Sequence, residues 1–194
     1  MDILVGTNNK NKLEQWRRIF GKHIPGAKLF SLEDLGIVQD VEEDAETLRG
    51  NAEKKARFFG DIAKMMTVSD DTGLYIDALN GEPGLHAKRW LEGTDTDRNN
   101  KILERMAGLS QEKRTCRYIG ALAIYDPKEN KMWTFESALE GGIAEKPVEG
   151  VGFGFDPIFI TESYGKFYSQ LTDNERDAIS HRGLGIAEYA KISN

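Results

Sequence analysis

The first 20 residues change from one hydrophobic period to another, and this change limits the folds open to the chain. Residues 3–5 are an apolar run of the kind found in a buried strand. The apolar residues that follow recur at helical spacing, at Leu13, Trp16, Ile19 and Phe20. A strand, a loop and a helix in this order open a sheet that is covered by helices, so an α/β architecture is predicted.

Later segments extend this alternation and then add an antiparallel pair. A second helix is predicted over residues 45–59, with Asp44 as its cap, and it leads to a strand around Met66. A third helix is predicted to start at Thr94. A hairpin is predicted with arms at residues 115–125 and 131–139.

The C-terminal part is predicted to hold a short strand at residues 158–160 and a capping box that begins at Thr172. A last helix is predicted after Arg182, with one apolar face formed by Leu184, Ala187 and Ala190. The expected architecture is a central mixed β-sheet flanked by helices. No composition break separates independent domains, so one domain spanning residues 1–194 is expected.

Charge and hydropathy exclude several classes of partner. The chain has 26 Lys and Arg residues against 32 Asp and Glu, a formal net charge of -6, which argues against a general affinity for nucleic acids. No apolar run approaches the roughly 20 residues of a membrane span, so no membrane partner is expected. The single cysteine, Cys116, fits a reducing compartment, and a cytoplasmic location is expected.

Two adjacent acids, Asp70 and Asp71, follow the apolar run of the second predicted strand. Carboxylates at a strand end can hold a hard cation such as Mg²⁺ and bring a phosphate to it. An ordinary acidic turn would have the same composition. Glu42 and Glu43 could supply ligands from a second segment, although acids are also common at helix starts.

The loop between the first strand and the first helix is rich in polar side chains. It contains Thr7, Asn8, Asn9, Lys10, Asn11 and Lys12. A helix N-terminus offers backbone N–H groups and a positive dipole to an anion, and the lysines add charge. The loop lacks the second glycine and the Gly-Lys-Ser/Thr ending of a P-loop.

Two more segments contain groups that could recognise a nucleotide. In residues 150–157, glycines alternate with bulky side chains, and Pro157 rules out the helix of a dinucleotide-binding fingerprint. Phe153 or Phe155 could stack on a base, while the other belongs to the core. His181 and Arg182 could donate hydrogen bonds to a carbonyl-bearing base or to a phosphate.

Taken together and in order, these segments resemble the inosine triphosphate pyrophosphatase family over essentially the whole chain. The matching segments are residues 7–12, 69–73, 81–84, 153–157 and 179–182. The resemblance implies an elongated fold of two lobes with the active site in the groove between them, and a homodimer. It also implies Mg²⁺-dependent hydrolysis of ITP, dITP and XTP to the monophosphate and pyrophosphate.

The resemblance also implies roles for individual residues. Asp71 would be the catalytic base and a metal ligand, with Asp70 and either Glu42 or Glu43 as further metal ligands. Residues 7–12 would hold the triphosphate. The other substrate contacts would be Thr72, Phe153 stacked on the purine, Gly154, Phe155, Asp156, His181 and Arg182.

The chain departs from the family pattern at several of these positions. Asn8 replaces a glycine of the first loop, and Arg176 replaces a lysine, which keeps the charge but changes the donor geometry. Either Lys88 or Arg89 could reach the phosphates. Ala45 stands where a glycine is common, so the choice between Glu42 and Glu43 stays open.

Two alternative functions remain. One is a pyrophosphatase of pyrimidine or modified nucleotides on a related fold, whose first loop usually reads Ser-x-Ser-Pro-Arg, unlike the loop found here. The other is a nucleotide-binding module without turnover, against which the intact acids at residues 42–44, 70 and 71 argue.

Overall fold

The first strand, β1 (Asp2–Val5), pairs in parallel with β2 (Lys28–Ser31) and with β3 (Met66–Ile76). The helix α1 (Lys10–His23) connects β1 to β2, and α2 (Leu48–Ala63) connects β2 to β3. Parallel strands joined by helical crossovers are the α/β arrangement predicted from the first 20 residues.

The computed structural model describes residues 1–87, 89–149 and 152–193. Its remaining elements, in chain order, are β4 (Pro83–Gly84), α3 (Asp95–Arg105), β5 (Thr115–Asp126), β6 (Lys131–Ile143), β7 (Phe159–Thr161), α4 (Asp173–Ile179) and α5 (His181–Ile192). The strand order is β2-β1-β3-β5-β6-β7, with β4 paired to β3. Because β4 and β7 are antiparallel to their neighbours, the sheet is mixed, as predicted.

The chain forms two compact units, each with its own hydrophobic core. The first comprises Met1–Asp71, Gly120–Ser137 and Asp177–Asn194, and the second comprises Thr72–Ile119 and Ala138–Arg176. The largest fully buried side chains of the first core include Ile3, Trp16, Ile19, Phe20 and Leu122. Those of the second core include Leu74, Ile76, Ile102, Met106 and Phe159.

Elements with strong local signals lie where they were predicted. The helix α3 has a capping box formed by Thr94 and Asp97. At the predicted box near α4, the Glu175 N–H donates to Thr172 Oγ1 over 3.3 Å. The hairpin is confirmed, although β6 continues to Ile143, and β7 begins one residue later than predicted.

Two helix predictions were wrong in detail. The helix α2 begins at Leu48, because Thr47 caps it by accepting a hydrogen bond from Gly50 N over 2.9 Å, whereas the predicted cap Asp44 pairs with Lys54. In α5 the predicted apolar face is also wrong, since Leu184 is 42% exposed. The buried positions of α5 are Arg182, Gly183, Gly185, Ile186 and Tyr189.

The prediction that a strand ends at the acid pair was also wrong, because β3 continues through both acids to Ile76. Leu74 lies opposite Gly84 and Tyr75 opposite Pro83, so the second half of β3 is extended by pairing with β4. An acidic turn is therefore excluded. In the described part of the chain, no helix is long and apolar enough to cross a membrane.

Candidate active site

Asp70 lies at the centre of a buried cluster of charges in the first unit. Its Oδ2 atom accepts hydrogen bonds from Lys12 Nζ over 2.8 Å and from Arg182 Nη2 over 2.7 Å. The same oxygen lies 3.2 Å from His181 Nε2. Asp70 itself is only 2% exposed. Three side chains that the sequence analysis selected from distant segments thus meet at one carboxylate oxygen.

Two helix starts bring these side chains to Asp70. Asn9 caps α1 by accepting hydrogen bonds from the N–H groups of Asn11 and Lys12, which puts Lys12 in the first turn. Ser180 caps α5 in the same way through Gly183 N, which puts His181 and Arg182 in the first turn of that helix. Both helices therefore present cations at their N-terminal ends, where backbone N–H groups already favour an anion.

The cluster shifts the pKa values of Asp70, Lys12 and His181. Burial opposes ionisation of Asp70, but Arg182, Lys12 and His181 together hold its pKa well below the usual value. Burial lowers the pKa of Lys12 to about 8, although the Asp70 carboxylate counteracts part of the effect. Burial and the charge of Arg182 lower the pKa of His181 to about 4.

Near neutral pH, the cluster therefore combines one carboxylate with two cations, since His181 is uncharged. One positive charge remains, in a protein whose formal net charge is -6. This local positive charge attracts an anion such as a phosphate.

Asp71 occupies a different environment, since successive side chains of a strand point to opposite faces. Its Oδ2 accepts a hydrogen bond from Asn51 Nδ2 over 3.0 Å. Lys55 Nζ lies 3.8 Å from Asp71 Oδ1 and 2.5 Å from Glu43 Oε1. Burial raises the pKa of Asp71, while Lys55 and Asn51 act in the opposite direction. A carboxylate with a raised pKa is suited to take a proton from water.

The oxygen atoms around the acid pair suit a hard cation. Asp70 Oδ1 is buried and has no hydrogen-bond partner within the described residues. Mg²⁺ is commonly held by one or two carboxylates, with water and substrate phosphates as its other ligands. Among the residues that the structure describes, no group of three His, Cys, Asp or Glu side chains is arranged to hold a metal. The unpartnered Asp70 Oδ1 and the carboxylate chemistry of the acid pair fit a hard cation such as Mg²⁺.

The predicted ligands from the second acidic segment differ in their surroundings. Glu43 is linked to Asp71 through Lys55, whereas Glu42 is exposed. In the first loop, Thr7 Oγ1 accepts from Asn9 N over 3.2 Å. The other loop side chains, Asn8, Lys10 and Asn11, are exposed.

The predicted base-binding segment lies in the second unit. Phe155 is 7% exposed and packs in that unit's core, whereas Phe153 is partly exposed. Phe153 is therefore the ring available for stacking. Asp156 is buried and holds the segment, since its Oδ2 accepts from Phe153 N over 3.1 Å and its Oδ1 from Tyr118 Oη over 3.2 Å.

The remaining predicted contacts are also in the second unit. Thr72 is partly buried in β3, and Arg89 is exposed. Arg176 pairs with Asp173 over 2.7 Å. Lys88 lies outside the described residues, as do Gly150 and Val151 of the glycine-rich segment.

Sequence reasoning missed the residues that support the acids. Asn51 and Lys55 are buried on the same stripe of α2 as Leu48 and Ala52. Polar residues on an otherwise apolar stripe are a usable signal, because burial there requires a partner. Gln15 was also missed. It accepts from Arg182 Nη1 over 2.8 Å and donates to Asp177 Oδ1 over 3.0 Å.

Comparison with known proteins gives consistent matches over the whole chain. Residues 3–192 match the Ham1 family. A dITP/XTP pyrophosphatase of Thermoanaerobacter sp. (strain X514) is 36% identical over 184 residues, which cover 94% of this chain and 91% of that protein. A protein of the same description from Bacillus subtilis (strain 168) is 34% identical over 193 residues, covering 98% and 96% of the two chains.

Solved structures agree with this match. A HAM1 protein from Coxiella burnetii superposes with a TM-score of 0.85 at 28% identity, covering 100% of this chain and 98% of that one. A nucleoside-triphosphatase / dITP/XTP pyrophosphatase from Mycobacterium abscessus superposes with a TM-score of 0.74 at 34% identity, covering 97% and 98%.

Proposed function

The chain belongs to the Ham1 family, and from this premise we propose that it hydrolyses the triphosphates of deaminated purines, ITP, dITP and XTP, to the monophosphate and pyrophosphate. Such an activity would remove these nucleotides from the nucleotide pool. The observation that carries the proposal is the pairing of two unlike acids in β3. Asp70 is surrounded by cations, and Asp71 is held by an amide and a lysine with its pKa raised.

In this proposal the Asp70 cluster binds phosphate groups. Lys12 and Arg182 are two cations, and Asp70 neutralises only one of their charges. A bound triphosphate would neutralise the remaining positive charge. Residues 7–12 would hold the triphosphate beside the positive end of the α1 dipole. These interactions would also stabilise the charge that develops on the leaving pyrophosphate.

Asp71 would act as the general base that orients and deprotonates the attacking water. Its raised pKa favours proton transfer, and Asn51 fixes the carboxylate by donating to Oδ2. The charge of Lys55, 3.8 Å from Asp71 Oδ1, opposes the rise in this pKa and so favours the ionised form of the base.

The proposed activity depends on Mg²⁺, which Asp70, Asp71 and either Glu42 or Glu43 would hold. When bound, this ion would neutralise charge on the phosphate oxygens. Glu43 is better supported than Glu42, because it shares Lys55 with Asp71.

Base selection would come from the second unit. Phe153 would stack on the purine, and Asp156 would hold the backbone of that segment. A donor N–H directed at the 6-oxo group would be left unpaired by the 6-amino group of adenine. His181 and Arg182, at the start of α5, are proposed either to read the purine edge or to anchor the nucleotide. Arg89, Lys88, Thr72 and Arg176 remain proposed substrate contacts.

Three further points follow from the resemblance and are part of the proposal. The protein would act as one pyrophosphatase domain, as a homodimer, and in the cytoplasm, where free nucleotides are found. Sedimentation of the purified protein tests the dimer. A monomer at the concentration of the activity assay would contradict it.

A substrate panel tests the function. Purified protein with Mg²⁺ is given ITP, dITP, XTP, ATP, GTP and dUTP, and released pyrophosphate and orthophosphate are measured separately. We expect fast release of pyrophosphate from the first three, and loss of activity on chelation of the metal. Equal rates on ATP would contradict the base selection, preference for dUTP would favour the alternative family, and orthophosphate as sole product would contradict the reaction.

The variant for this panel is Asp71→Asn. Asp71→Asn keeps the shape and the contact with Asn51 but removes the base, so turnover should fall by roughly 10²-fold or more. Unchanged turnover in a folded Asp71→Asn protein would contradict its role.

A further inference from the structure

The peptide units on both sides of Gly154 are held by α3. Gly154 N donates to Asp95 Oδ2 over 2.7 Å, and Gly154 O accepts from Asn99 Nδ2 over 3.0 Å. Asp95 and Asn99 are four residues apart in α3, so they lie on the same side of the helix. Two side chains of one helix thus fix both hydrogen-bonding groups of one residue between Phe153 and Phe155.

Asp95 is itself held in place. Its Oδ1 accepts from Arg98 Nη2 over 2.6 Å. The other end of that guanidinium, Nη1, donates to the carbonyl oxygens of Leu91 and Gly93 over 3.1 and 2.8 Å. The Asp95 side chain is 49% exposed, and its bond with Arg98 holds the carboxylate that accepts from Gly154 N.

Asn99 is a costly residue at its position. It is 4% exposed, and its Oδ1 has no hydrogen-bond partner in the part of the chain that the structure describes. A buried and unsatisfied acceptor lowers stability, and an apolar side chain of similar volume would avoid this cost. The favourable contribution of Asn99 is the hydrogen bond that its Nδ2 donates to Gly154 O.

The backbone at Gly154 needs such support. Its φ of +63° lies in the left-handed region, and the chain turns there so that Phe155 enters the core while Phe153 stays partly exposed. Phe153 N also donates to Asp156 Oδ2, so the segment is fixed at two successive peptide groups.

We propose that Asp95 and Asn99 are positioning residues for base recognition, which fix the segment from Phe153 to Asp156 so that the Phe153 ring meets the purine. This inference rests on the proposed function and extends it to two residues of α3. Neither residue needs to touch the substrate, since both act through the backbone of Gly154.

The test compares three variants with a control. Asp95→Ala removes the acceptor for Gly154 N, and Asn99→Leu removes the donor to Gly154 O at similar volume. Asp95→Asn keeps an acceptor oxygen and should restore near wild-type behaviour. Asn100→Asp changes an exposed neighbour in the same helix and serves as the control.

The measurements are KM and kcat for ITP, the inhibition constant of pyrophosphate, and the melting temperature. Pyrophosphate has no base, so a defect in base positioning leaves its inhibition constant unchanged. We expect Asp95→Ala and Asn99→Leu to raise KM for ITP about tenfold, with kcat close to wild type. Asn99→Leu removes one unsatisfied oxygen but leaves Gly154 O without its donor, so these two effects oppose each other and the melting temperature should stay close to that of wild type.

Two results would overturn the inference. One is an unchanged KM in both Asp95→Ala and Asn99→Leu, and the other is an inhibition constant for pyrophosphate that rises in step with KM. Wild-type protein that hydrolyses no purine triphosphate is a separate failure, which removes the proposed function and this inference with it.

Discussion

Arg182 Nη2 lies 2.7 Å from Asp70 Oδ2, and the two side chains are 6% and 1% exposed. An ion pair this deeply buried depends on both partners, because a lone charge cannot be solvated there. The same oxygen also accepts from Lys12, so one carboxylate balances part of the charge of two cations.

The first prediction concerns the removal of that carboxylate. Asp70→Asn leaves Lys12 and Arg182 buried without their counter-charge, and we expect the free energy of unfolding to fall by about 3–5 kcal/mol. Urea denaturation at neutral pH measures it. Asp2→Asn, at an exposed position on β1, is the control and should unfold like wild type. A loss no larger than the control's would contradict the account of the cluster.

The second prediction concerns stability in acid. The pKa of His181 is lowered to about 4 in the folded protein, against an ordinary value of 6.5. Between these values the unfolded chain binds a proton that the folded protein does not, so stability falls as pH drops through this window. Denaturation midpoints at pH 7, 6, 5 and 4 measure the slope. His181→Asn should flatten it, and an equal slope in that variant would contradict the assignment.

Much of the fold could be predicted because its signals are local. The N-terminal helix, the capping box of Thr94 and Asp97, and the hairpin all follow from spacing within a dozen residues. The strand β2 was missed, and the face of α5 was wrong. Both depend on distant partners: β2 pairs with β1, and α5 is oriented by the bond from Arg182 to Asp70.

The candidate site was predictable in its members but not in its contacts. Asp70, Lys12, His181 and Arg182 were each selected from short segments, yet nothing within a segment shows that they meet at one oxygen. Lys55 was missed because its position reads as part of an apolar stripe. Its function follows only from the distances to Glu43 and Asp71.

The third prediction concerns the pH dependence of turnover. Burial raises the pKa of Asp71, and the charge of Lys55 counteracts this rise. Lys55→Met removes the opposing charge, so the pKa of Asp71 rises further and the acid limb of kcat/KM for ITP moves to higher pH. Lys54→Met, at an exposed position, is the control. If the acid limb of kcat/KM in Lys55→Met stays in place or moves to lower pH, the coupling between Lys55 and Asp71 is contradicted.

The fourth prediction concerns substrate binding in alkali. The pKa of Lys12 is lowered to about 8 in the protein without substrate, chiefly by burial. As pH rises through this value the free protein loses a cation that the triphosphate needs, so KM for ITP should increase above pH 8. Lys12→Arg keeps its charge over this range and should remove the increase. The same rise in KM in that variant would assign it to another group.

The fifth prediction concerns the space that β5 leaves for His181. A Cβ atom added at Gly120 would lie 2.2 Å from Cγ and 2.5 Å from Nδ1 of the His181 ring, closer than unbonded atoms can approach. Gly120→Ala must therefore displace the ring from Asp70, at a cost of about 1–3 kcal/mol in the free energy of unfolding. Because His181 is a proposed substrate contact, KM for ITP should rise as well.

Gly21→Ala is the matched control, since an added Cβ there meets nothing within 4 Å. In the last turn of α1 this change should instead stabilise the protein, by at most about 0.5–1 kcal/mol. Crystals of Gly120→Ala with the His181 ring still 3.2 Å from Asp70 Oδ2 would show that the strand moves instead of the histidine.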